Sequence, residues 1–103
     1  MRYIKEWLEQ KSGFGLILPD GYFGRPGDNY HKMTWLAERE NKLIIELDNQ
    51  LYLTFTKPVS HSKKGSDLIL SSFSQLVFDR QGYGDMTPHC VIYKSGEVKF
   101  EDF

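Results

Sequence analysis

The sequence predicts an α+β fold in which an N-terminal helix packs on a curved, mostly antiparallel sheet of about six strands, a roll or partly open barrel. Three observations lead there. Tyr3, Ile4, Trp7 and Leu8 recur at helical spacing, Leu43, Ile45 and Leu47 followed by Leu51, Leu53 and Phe55 recur at every second position, and turn signals separate the apolar runs at short intervals. With 103 residues the chain has room for one core and not for two, so residues 1–103 are expected to form a single domain.

The helix comes first. Tyr3, Ile4, Trp7 and Leu8 gather on one face while Lys5, Glu6, Glu9 and Gln10 point away, and Ser12-Gly13 supplies a residue suited to a left-handed helix terminus. Phe14 to Leu18 then reads as a strand ended by Pro19-Asp20-Gly21, where proline fixes one dihedral and glycine permits a positive one. Residues 21–29, GYFGRPGDN, hold three glycines and a proline, which excludes a helix or a central strand and predicts a loop.

From His31 to Thr56 the period is two, with polar reversals at Glu40-Asn41 and at Asp48-Asn49-Gln50. This predicts a three-stranded meander whose apolar face meets the helix. SHSKKGS at 60–66 is wholly polar and reads as a surface loop; its Lys63-Lys64 pair is too small to form a basic footprint. Asp67 to Asp79 reads as one long strand bent at Ser71-Ser72, although apolar residues at 70, 73, 76 and 77 also permit a turn or two of helix; a second loop covers 80–88, and Cys90–Tyr93 with Glu97–Phe100 predict a hairpin about Ser95-Gly96.

Composition excludes several classes of function. Thirteen basic residues against fourteen acidic ones give a formal charge of −1, without the excess that binding to a phosphate backbone requires, so no nucleic acid is expected. The charged start MRYIKEWLEQ is not a signal peptide, and the apolar runs fall far short of the roughly 20 residues that cross a bilayer. No membrane association is expected, and a cytoplasmic location is. Cys90 has no second cysteine to pair with and, opening a strand, is read as a buried and unreactive thiol.

Candidate chemistry is concentrated in the two loops. Tyr22, Phe23, Arg25, Asp28 and Asn29 in the first, and Arg80, Tyr83 and Asp85 in the second, combine aromatic rings with arginine forks, the side chains most enriched where proteins bind one another. The competing expectation is that the aromatic rings fold inward as lids while Arg25 pairs with Asp28. His31, His61 and His89 show none of the short spacings of zinc ligands, so no metal and no other cofactor is expected.

LPDGYFGRPGDNYH at 18–31, continued by the meander and by FDRQGYGDMTPH at 78–89, resembles small one-domain bacterial proteins of unassigned function. That resemblance spans most of the chain and implies a bacterial, cytoplasmic protein, with no reaction or catalytic residue. Two functions compete. The first is a noncatalytic bacterial binding or accessory protein, with another protein as partner, working through residues 22–30 and 80–89. The alternative is a small hydrolase or nuclease-like enzyme with His31 or His89 as general base, oriented by Asp28 or Asp85. Homo-oligomerisation through an open strand edge is a further expectation.

Overall fold

The computed structural model describes residues 2–22, 29–80 and 89–102, Tyr22 and His89 by their backbone alone. One helix, α1 (Arg2–Gln10), precedes β1 (Phe14–Leu18), β2 (Gly21–Tyr22), β3 (Met33–Glu38), β4 (Lys42–Leu47), β5 (Leu51–Thr56), β6 (Ser60–Lys64), β7 (Asp67–Ser71), β8 (Gln75–Arg80), β9 (His89–Tyr93) and β10 (Val98–Asp102). The α+β class holds, but the single curved sheet does not. Among the described residues the strands form two five-stranded antiparallel sheets, β2-β1-β10-β7-β6 and β3-β4-β5-β8-β9, and no barrel closes.

The reason lies in how the chain passes between the sheets. Ser72 takes a φ of 66°, breaking the apparent bent strand into β7 in the first sheet and β8 in the second. The expected terminal hairpin fails likewise, for Gly96 at φ 123° lets the chain leave β9 beside β8 and enter β10 between β1 and β7. A Cβ on Gly96 would also lie 2.8 Å from Cβ of Pro19, so glycine is required twice over. At the third passage, Phe14 and His31 exchange both backbone hydrogen bonds at 2.9 and 2.8 Å, after which the chain turns into β3.

The polar run at 60–66 is not a loop. Ser60–Lys64 forms the exposed edge strand β6, turned onto β7 by Gly65 at φ 64°. Every side chain of β6 is exposed, and so the sequence lacks the alternation that marks half-buried strands. Its lysines suit a sheet edge, where charge discourages unwanted pairing.

The meander follows the sequence expectation, with β4 and β5 in register from Lys42↔Thr56 to Leu47↔Leu51 and β3 paired with β4 across one register shift between Met33 and Trp35. Its apolar face, Leu43, Ile45, Leu47, Leu51, Leu53 and Phe55, is buried in one cluster with Leu16, Leu68, Leu70, Phe78, Val98 and Phe100 from other strands. The helix contributes Ile4, Trp7 and Leu8 to that cluster, so the face meets the opposite sheet as well as α1. Trp7 packs between Phe14 and Phe100, with ring centroids 6.0 and 6.4 Å away, and donates Nε1–H to the Ser66 carbonyl. Tyr3 stacks on His61 of the β6 edge at 4.8 Å, while Leu8 lines a cleft with Met33 to Leu36 of the β3 edge. One short helix thus covers an edge of each sheet.

Gly13 ends the helix without the left-handed conformation expected of it: among the described glycines only Gly21, Gly65 and Gly96 have positive φ. Its reason is space, since a Cβ there would lie 1.9 Å from Cζ of Tyr30.

Candidate functional site

Two of the loop residues singled out from the sequence are described by their side chains, Asn29 and Arg80, and Tyr22 by its backbone in β2. Phe23, Arg25, Asp28, Tyr83 and Asp85 lie outside the described residues, as does the question whether the loop aromatics close the core.

Asn29 is buried and completes the edge of β1 with its side chain in place of a backbone partner. Its Oδ1 accepts from Leu16 N–H at 2.9 Å and its Nδ2 donates to the Leu16 carbonyl at 3.2 Å. Those two bonds fix which end of the amide is oxygen. His31 then lies between two oxygens, Nε2 3.1 Å from Asn29 Oδ1 and Nδ1 2.6 Å from Asp48 Oδ2. Both ring nitrogens therefore face an oxygen partner, and the ring is held from two sides. Asp48 reciprocates through the backbone: its other oxygen accepts from Lys32 N–H at 2.9 Å, and its own N–H donates to the Lys32 carbonyl at 2.9 Å.

This arrangement bears directly on the enzyme expectation. A general base needs an accessible nitrogen free to accept a proton. His31 is 6% exposed, its carboxylate partner among the described residues is Asp48, and both nitrogens are engaged; Asp28 and Asp85 lie outside the described residues. Its work is to tie the 29–31 segment to the β4–β5 turn. The ring of His61 stacks on Tyr3, and no group of three or more His, Cys, Asp or Glu able to hold a metal is present among the described residues. Cys90 is exposed, contrary to the buried thiol expected, because it occupies the outward position of the edge strand β9.

Register brings the roots of both loop segments to the same end of the second sheet. Arg80 pairs with Leu51 on one side and His89 on the other, adjoining the 48–50 turn, and His31 reaches that same turn through Asp48. Arg80 and the backbone of His89 therefore lie beside the turn to which residues 29–31 are anchored.

The surface that adjoins these roots was missed from sequence. On the outer face of the second sheet, one cross-strand row runs Ala37, Ile44, Thr54, Val77, Ile92, without a charge over five strands. The next row, one step nearer the loop roots, runs Trp35, Glu46, Tyr52, Asp79, Cys90. Ile92 is 58% exposed and Trp35 44% exposed. The outer face of the first sheet differs: its central row, Tyr22, Ile17, Lys99, Ile69, Ser62, is interrupted by Lys99, which pairs with Asp67 at 3.3 Å. A signal for the missed surface exists in the sequence, namely aliphatic residues at solvent-facing positions, Ile44 between Leu43 and Ile45, Val77 between Leu76 and Phe78, and Ile92 in the last edge strand.

Electrostatically the second row is acidic. Thr34 Oγ1 donates to Glu46 at 2.8 Å, and Tyr52 donates its hydroxyl to Glu46. That hydrogen bond, with burial and the charges of Glu46 and Asp79 adding to it, raises the Tyr52 phenol above its ordinary range. No ion pair among the described residues engages Glu46 or Asp79. No helix among the described residues is long and apolar enough to cross a membrane. Comparison with family models, curated proteins and solved structures finds no match for this chain.

Proposed function

We propose that this chain is a noncatalytic binding module for another protein, and that it works through the outer face of the second sheet together with the segments 22–30 and 80–89 that adjoin it. The observation that carries the reading is the uncharged row from Ala37 to Ile92. A five-stranded sheet whose inner face already supplies the core has no structural need for aliphatic side chains on its outer face. Apolar side chains on an outer face, half-buried at Ile44 and Val77 and 58% exposed at Ile92, are the kind of surface that marks interaction sites in soluble proteins. The roots of the two segments support including them: Arg80 pairs with His89 beside the 48–50 turn, and His31 reaches that turn through Asp48. The engagement of both His31 nitrogens weighs against the hydrolase or nuclease-like alternative.

Photo-crosslinking in the source cell tests the reading. A photoreactive residue in place of Ile92 is expected to yield a discrete heavier adduct, while the same residue in place of Ile69, on the outer face of the first sheet, yields none. Equal adducts from both positions would overturn the assignment of the surface. An adduct of twice the chain mass as the sole product would assign the face to a second copy and overturn the reading of a separate partner.

A further inference from the structure

From the chemistry of the same face, and resting on the reading just given, we infer that the partner presents an arginine or lysine side chain to Tyr52, between the carboxylates of Glu46 and Asp79, with aliphatic residues alongside it on the Ile44–Val77–Ile92 row.

Position comes from the register. Tyr52 pairs with Glu46 on β4 and with Asp79 on β8, so the two carboxylates flank its ring on neighbouring strands, about 5 Å to either side. Asp79 is exposed, Glu46 and Tyr52 are half-buried, and Trp35 extends the aromatic surface beyond Glu46 onto the edge strand β3. A flat aromatic ring between two acids is a cation receptor: the ring face attracts positive charge through its quadrupole, and each carboxylate accepts charge-assisted hydrogen bonds.

Charge complementarity selects the occupant. Basic side chains of this chain engage carboxylates elsewhere: Lys57 bonds Glu38, Lys99 bonds Asp67 and Lys11 bonds Asp102, whereas no ion pair among the described residues engages Glu46 or Asp79. Lys42, the basic residue on the outer face of β4, reaches Thr56 at 3.3 Å, four residues along the strand from Glu46. Two uncompensated acids beside an aliphatic row repel acidic partners and reward a partner whose cation sits within an apolar patch.

Two synthetic peptides serve as probes, one alternating isoleucine with arginine and the other isoleucine with glutamate, each titrated into isotope-labelled protein while backbone amide shifts are recorded. The arginine peptide is expected to shift amides at 44–46, 52–54, 77–79 and 90–92, and the glutamate peptide to leave them in place. The double variant Glu46→Gln/Asp79→Asn, both outside the core, is expected to keep its fold and bind the arginine peptide about tenfold or more weakly, a loss of at least ~1.4 kcal/mol. Equal shifts from both peptides at this face would overturn the cation inference while leaving the binding face standing. Shifts confined to other surfaces, or none from either peptide, would overturn the inference as well; the binding reading is then decided by the Ile92 crosslink alone.

Discussion

His31 Nδ1 lies 2.6 Å from Asp48 Oδ2, which joins the segment that pairs with β1 to the turn between β4 and β5. The contact is local in space and remote in sequence, and it holds together parts of the chain that belong to different sheets. With Asn29 on the other side of the ring, it forms the principal polar cluster beneath an otherwise apolar region.

Replacing Asp48 by Asn tests that cluster with little backbone penalty, because Asp48 has a φ of 55° and asparagine tolerates that conformation. The charge is removed while the shape stays. Urea unfolding is expected to show a loss of about 1–3 kcal/mol, the usual cost of weakening a part-buried, charge-assisted hydrogen bond. A change below about 0.5 kcal/mol would show that the contact carries no weight.

Phe78 and Ile92 sit on neighbouring strands with opposite burial, 0% and 58% exposed. Phe78→Ala is expected to cost about 3–5 kcal/mol through lost burial and the cavity left behind. Ile92→Thr is expected to stay within about 0.5 kcal/mol of wild type, while weakening binding of the partner. Comparable losses from both would place Ile92 in the core.

Gly13 and Tyr30 form a coupled pair. Adding a Cβ at Gly13 forces the Tyr30 ring aside, so Gly13→Ala is expected to destabilise by about 1–2 kcal/mol as overpacking does. In a Tyr30→Ala background the same change should cost nothing or stabilise slightly, since alanine narrows the unfolded ensemble. Additive costs in the double-mutant cycle would refute the clash.

The meander was legible because β3 to β5 are half-buried, which writes alternation into Leu43 to Phe55. The helix was legible for the corresponding reason at a period of 3.6. β6 was not, since with no side chain buried the strand leaves no periodic trace. Nor was the division into two sheets: the segments 67–79 and 90–100 look like one bent strand and one hairpin because the decisive event is a single positive φ, at Ser72 and at Gly96. Serine gives no warning of that. Of the candidate site, Tyr22 and Arg80, read as loop residues, lie in β2 and at the end of β8, and Asn29 and His31 proved to be ties within the fold. The outer face was hidden because Tyr52, Glu46 and Asp79 become neighbours only through strand pairing.

Tyr93 is pushed from 10.0 to about 12, first by burial and then by donating to Asp20 at 3.0 Å. The folded state therefore holds the phenol proton more tightly than the unfolded chain does. Its contribution to stability is fully present below pH 10.0 and is lost as pH rises through about 12. Ultraviolet titration of Tyr93→Phe should lack the highest-pH ionisation seen in wild type, and its stability should fall less steeply over that window. An unchanged titration would assign the late ionisation to another tyrosine.

Trp7 is 7% exposed and Trp35 44%, so an aqueous quencher should distinguish them. Iodide is expected to quench Trp7→Phe much as it quenches wild type, and Trp35→Phe weakly. Binding of the partner should then protect Trp35. The reverse order of quenching would place Trp35 inside.

β10 lies between β1 and β7, and its partners in β1 stand more than eighty positions away along the chain, as Ile17↔Lys99 shows. The second sheet has short-range steps available, β3 to β4 and β4 to β5, which close on the microsecond scale of hairpins. The first sheet acquires its middle only when the two ends of the described chain meet, and the entropy of closing so long a loop is spent before any contact rewards it. This topology leads us to expect that the meander forms early in refolding and that the arrival of Val98–Asp102, which joins the β1–β2 and β6–β7 ribbons, comes late.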